Sequence, residues 1–168
     1  MIERLGELRT AGEAVPEPAV TLAAWFHDAV YDGERDAEER SAVWAEEALT
    51  GVVEDAVRDE VARLVRLTET HRPDPDDAAG CALSDADLAI LASEPGRYAE
   101  YVAQVRTEYG HLDDATFRAG RRAALEALAS KPSLFHTAHA RDAWERTARE
   151  QLDRELAGLQ ALDDRAAG

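Results

Sequence analysis

Five side chains in this sequence have the types and settings for metal or acid–base chemistry: His27, Asp28, His71, Asp85 and Asp87. His27 and Asp28 are neighbours in the tetrad Trp25-Phe26-His27-Asp28, among apolar residues. Burying an ionised carboxylate beside an imidazole is costly unless something pairs with both, and a divalent ion is the most effective such partner. Imidazole nitrogen and carboxylate oxygen are the ligand atoms that a hard or borderline divalent cation takes. The pair alone fits two plainer readings as well. It suits a core histidine donating to a nearby carboxylate or carbonyl, and it suits a purely structural ion pair whose loss destabilises the fold with or without chelator.

The elements that must position these groups read as helices. Ala, Leu, Glu and Arg abound, β-branched runs are few and no segment alternates strictly, so no strand is expected. The run Leu22 to Asp32 predicts a helix with Leu22, Trp25, Phe26, Ala29 and Val30 toward a core. His27 and Asp28 then flank that face about 100° apart, above the small Ala23 and Ala24. A second helix is predicted over Glu38 to Thr50. A third runs from about Glu54 to His71, with Val57, Val61, Leu64 and Thr68 on one stripe that His71 continues, until Pro73 ends it. Residues 72–80, with Pro73, Pro75 and three Asp, read as a loop suited to a flap.

Leu83 to Leu91 then predicts a short apolar helix capped by Ser84 and interrupted by Asp85 and Asp87. Beyond Pro95, Tyr98, Tyr101, Val102, Val105 and Tyr109 mark another helix; Phe117, Ala124, Leu125 and Leu128 mark the next. A last one carries Trp144, Leu152 and Leu156. The expectation is an all-α helical bundle in one domain over residues 1–168, with 1–17 a partial or frayed segment and the final five residues a frayed tail. In such a bundle facing helices bring distant ligands together. The tyrosine stripe of Tyr98, Tyr101 and Tyr109 fits core packing and also a homodimer interface.

The 168 residues carry a formal net charge of -16, from 35 acidic against 19 basic side chains. That acidity argues against a nucleic-acid polymer as partner, which needs clustered Lys and Arg. A small phosphorylated substrate would be repelled too, unless a metal or inward-pointing Arg supplies local positive charge. Cys81 stands alone, so there is no internal disulfide. With no signal peptide and no apolar run long enough for a membrane span, a cytoplasmic protein without membrane contact is expected.

The string Leu22-Ala23-Ala24-Trp25-Phe26-His27-Asp28-Ala29-Val30-Tyr31-Asp32, followed by Glu38-Glu39-Arg40-Ser41-Ala42, resembles the metal-dependent phosphohydrolases of the HD superfamily, specifically their small bacterial branch. The resemblance continues through Thr68-x-x-His71, Asp85-Ala86-Asp87-Leu88, Arg106-x-Glu108-Tyr109-x-His111 and Gly120-Arg121, in order and over nearly the whole chain from Val20. It implies an HD-domain-like helical fold in which one or two divalent ions activate water against a phosphoester of a small metabolite or nucleotide. The ion would be Mn, Fe, Mg or Zn.

Matched by motif, His27 and Asp28 fall on the metal-binding dyad and Asp87 on the distal Asp, with Asp85 as second choice. Asp28 and Asp32, one turn apart, are the implied catalytic acids, Asp32 holding or deprotonating the attacking water. Arg106 and Arg121 occupy positions suited to clamp phosphate, and Thr68 and His71 to orient substrate or a leaving oxygen. The competing readings are ion-pair roles for the two arginines and a helix-terminal, dipole-favoured role for His71. Structural roles are expected for His111, His136 and His139. One departure stands out. The family's first ligand is a His upstream of the dyad, and residues 1–26 hold none. Either the native chain starts earlier or a ligand has been lost. The second case favours a different class of function, a degenerate HD domain acting as a non-catalytic ligand- or partner-binding module.

Overall fold

The computed structural model describes residues 1–30 and 36–167. Among these the chain is all-α, with no strand. In order come α1 (Ile2–Thr10), α2 (Ala19–Phe26), α3 (Ala37–Leu49), α4 (Asp55–Leu67), α5 (Ala78–Leu88), a 3-10 turn (Ala89–Ala92), α6 (Pro95–Glu108), α7 (Asp114–Ala129), α8 (Ala138–Ala143) and α9 (Glu145–Ala167). None of them is long and apolar enough to cross a membrane.

Local chemistry explains most of the boundaries. Glu38 and Glu39 in the first turn of α3 face the positive end of its dipole. Pro95 opens α6, where its missing N–H costs nothing. Asp113 caps α7 by accepting from the Thr116 amide at 2.9 Å. One apolar cluster joins all parts of the chain, with Leu5, Leu8, Val20, Val61, Leu64, Leu83 and Leu152 fully buried. Each large side chain so buried contributes roughly 1.5–3 kcal/mol.

Several expected features differ in the structure. Residues 1–17 include a packed helix: α1 buries Leu5 and Leu8 and lies against α5. Helix α2 ends at Phe26, so the dyad sits at its C-terminal end rather than inside it. Its core face is the predicted one only in part, Leu22 and Phe26 packing half-buried against the core. Ala19, Val20, Ala23 and Ala24 are buried, whereas Trp25 is 70 % exposed. The small residues win because they let α2 lie close on α4 and α5, a contact that an indole on that face would prevent. Helix α4 stops at Leu67, and His71 lies beyond it in a left-handed backbone conformation, φ 49°. Trp144 falls between α8 and α9 instead of within one last helix, and α9 continues to Ala167.

The cap of α5 is Asp77, not Ser84, and the helix starts at Ala78, inside the predicted loop. Asp77 accepts from the Gly80 amide at 2.9 Å and from Arg63 at 2.8 Å. Gly80 is required there, because a Cβ would strike the Asp77 carboxylate and lie 2.7 Å from a Leu67 methyl. Partial burial alone would raise the Asp77 pKa, but Arg63 and the Gly80 amide outweigh it and hold the carboxyl below its ordinary 3.8. A depressed carboxyl stabilises the fold fully above the unfolded-state pKa and loses that contribution as pH falls through the folded value. Asp77→Ala should therefore cost about 1 kcal/mol in urea denaturation at pH 7. The gap between wild type and variant should shrink as pH falls below about 4. A gap unchanged at pH 3 would contradict this.

Candidate functional site

The C-terminal end of α2, the turn after α4 and the middle of α5 meet at one place. His27 is 14 % exposed, and its Nδ1 lies 2.9 Å from the Ala24 carbonyl oxygen. Nδ1 is therefore the protonated nitrogen donating to its own helix, which leaves Nε2 for the carboxylates. From Nε2 it is 3.0 Å to Asp28 Oδ2 and 3.6 Å to Asp87 Oδ1. The second Asp87 oxygen is 3.5 Å from His71 Nε2, and His71 Nδ1 is 3.2 Å from the Ser84 hydroxyl. The contacts thus form a chain, His71 to Asp87 to His27 to Asp28.

The two chain segments that carry the dyad and His71 are braced from behind. The Val30 amide donates to the buried Ser41 hydroxyl at 3.0 Å, fixing the chain just after the dyad on α3. Lys131 Nζ donates to the carbonyls of Thr70 and His71, at 3.1 and 2.9 Å, and so clamps the turn that aims the His71 ring. That left-handed histidine costs on the order of 1 kcal/mol, and the clamp offsets it.

The groups bias one another's charge. Burial opposes protonation of His27, but its hydrogen bond to Asp28 and the charge of Asp87 prevail and raise its pKa. The same bond lowers Asp28. Asp87 is pushed up to about 6 by loss of hydration, against the opposing pull of His27. His71 is driven down to about 4, first by burial and then by Lys131, so its ring is neutral near pH 7.

Chemically this is a two-imidazole, two-carboxylate donor set. Two atoms each about 2.1 Å from one ion stand about 3.0–3.4 Å apart at octahedral to tetrahedral angles. Of the pairwise separations, 3.0 Å falls within that range and 3.6 and 3.5 Å lie just beyond it. Among the described residues, however, no three His, Cys, Asp or Glu side chains already converge as a ready-made metal cage. The donor chemistry fits a divalent ion; the four side chains would have to turn toward a common centre to hold it.

The other expected site residues go elsewhere. Asp85, fully buried, accepts from the amides of His136 and Thr137 and from the Thr137 hydroxyl, all at 2.7 Å. Both its oxygens are thus spent on a structural tie, on the side of α5 away from Asp87. Thr68 is buried and donates to the Val65 carbonyl at 2.7 Å, a helix-end contact rather than a substrate contact. Arg106 caps the end of α6 through the Tyr109 and Leu112 carbonyls and pairs with Asp114. Arg121 pairs with Glu155 of α9 at 2.8 Å and stacks on Tyr101. Asp32 lies outside the described residues.

A cavity of about 520 Å³ opens beside His27, Asp28 and Asp87, and its wall includes Arg4, Arg97 and Tyr101. None of those three stood out in the sequence as a site residue. The spacing of Arg97 and Tyr101, one turn apart on one face of α6, is the signal that could have found two of them. In comparisons with known proteins the chain matches no family model, no curated protein and no solved structure.

Proposed function

We propose that this protein is a metal-dependent phosphohydrolase acting on a small phosphoester. The observation that carries the reading is the meeting of His27 from the end of α2 with Asp87 from α5, Nε2 to Oδ1 3.6 Å, at the wall of a cavity large enough for a metabolite. His27 Nε2, Asp28 and Asp87 would hold the ion, with His71 Nε2 as the fourth donor. A bound divalent ion supplies a nucleophile at neutral pH and neutralises phosphoryl oxygens. The bond from Nδ1 to Ala24 keeps His27 in the tautomer that ligation needs. Arg97 adds positive charge to a cavity on an otherwise acidic protein. The resemblance to HD phosphohydrolases supports the same assignment.

The test is phosphate release from a panel of phosphomonoesters with Mn, Fe, Mg or Zn added in turn. Metal-dependent turnover, abolished by chelator and restored by the ion, is expected. No release with any of the four from folded protein would overturn the proposal. The second reading, a ligand-binding module without turnover, is favoured by one observation: the four side chains contact in sequence rather than around one centre. It expects binding of phosphorylated ligands without phosphate release.

A further inference from the structure

We infer that Ser84 is a positioning residue for metal binding, whose hydroxyl lets His71 move its ring proton from Nε2 to Nδ1 and so become a donor only when an ion arrives. The inference rests on the phosphohydrolase reading for the ion and for His71 as fourth donor, and adds how that donor is prepared.

Ser84 and Asp87 stand three residues apart on α5 and therefore share one of its faces. The His71 ring lies along that face. Its Nδ1 is 3.2 Å from Ser84 Oγ, and its Nε2 is 3.5 Å from Asp87 Oδ2. A neutral imidazole carries one proton on either nitrogen, and the partner opposite each nitrogen selects which. The Asp87 carboxylate only accepts, so without an ion it draws the proton to Nε2. That tautomer has no lone pair to offer there. A ligating ring must instead be bare at Nε2 and protonated at Nδ1.

Ser84 satisfies Nδ1 in both states, because a hydroxyl donates as well as accepts. It donates to bare Nδ1 in the first state. In the second it accepts from Nδ1–H and turns its own proton to a carbonyl of the preceding helical turn. The ring's proton count is unchanged, since Nε2 gives one proton to water and Nδ1 takes one from water. Ser84 is 2 % exposed, so an alanine there would leave Nδ1–H facing a buried methyl group. His27 is held differently. Its Nδ1 faces the Ala24 carbonyl at 2.9 Å, an acceptor only, which fixes the proton on Nδ1 with or without an ion. The two histidines are thus unequal: His27 is a standing donor and His71 a recruited one.

The experiment is long-range proton–nitrogen NMR of the histidine rings in the full chain near neutral pH, first with chelator and then with zinc. His27 should show Nδ1–H in both. His71 should show Nε2–H with chelator and Nδ1–H with zinc, and these wild-type spectra decide the inference without any variant. Ser84→Ala, at a helical position that alanine favours, should bind zinc about tenfold more weakly in competition with a chelator, with its circular dichroism and the His27 tautomer unchanged. A His71 tautomer that is the same with and without zinc, or wild-type zinc affinity in Ser84→Ala, would overturn the inference. Metal-dependent phosphate release with an unchanged His71 tautomer would remove the inference and leave the phosphohydrolase standing. The zinc-dependent tautomer change without release from any phosphomonoester would do the reverse.

Discussion

Replacing Asp85 with alanine is expected to lower stability by on the order of 4 kcal/mol, because two buried backbone amides and a buried hydroxyl lose a charged acceptor together. In a chain of this size that corresponds to a fall of roughly 10 °C in melting temperature. The three bonds, each 2.7 Å, join α5 to residues 136 and 137. Asp85→Asn keeps one acceptor oxygen and should lose about half as much. Urea denaturation followed by circular dichroism measures both. A loss below about 1 kcal/mol for the alanine variant would show that the tie is replaceable by water.

Two residues along the same helix the expected result is the opposite. Asp87→Ala should leave the melting temperature within about 3 °C of wild type, since the Asp87 carboxylate makes only long contacts, 3.6 and 3.5 Å, and its desolvation opposes folding of the charged form. Its effect should fall on function. If the phosphohydrolase proposal holds, metal-dependent turnover should drop by about a thousandfold, equivalent to about 4 kcal/mol of transition-state stabilisation. Parallel melting curves and initial rates with Mn decide it. A variant that retains more than a tenth of the wild-type rate would remove Asp87 from the machinery.

That contrast marks where sequence reading works and where it stops. Two acids in an apolar helix plainly demand an explanation, but residue type alone does not say which acid serves the fold. Residues two apart on a helix point about 200° apart, so Asp85 and Asp87 could never share one partner. The choice between them rests on backbone amides at His136 and Thr137, and a backbone donor leaves no trace in a sequence. The same limit applied to Arg106 and Arg121, whose order in the chain resembles a motif. Their guanidinium groups are taken by carbonyls at the end of α6 and by Glu155 on α9.

Helices α3, α6 and α7 were legible because their apolar spacing, acidic first turns and Pro95 agree. The face and the end of α2 were not. Alanine carries little hydrophobic signal, so the large Trp25 was read as a core residue in place of Ala19 and Ala23. The pairing of the dyad with Asp87 was expected from the resemblance alone, and periodicity contributed nothing to it. Arg97 escaped notice because an exposed arginine near the start of a helix reads as ordinary surface.

The Lys131 clamp carries a consequence for dissecting the gene. Every side chain of the His71 to Asp28 chain lies before residue 90, which invites a minimal fragment ending after α5. Such a fragment would keep all four groups and lose their arrangement, because the turn bearing His71 is pinned by a lysine donated from far downstream. Residues 131–137 thus act as a collar fastened around the first half of the molecule. Any swap of modules across that collar should be judged by how well it refastens, rather than by which chemistry it carries.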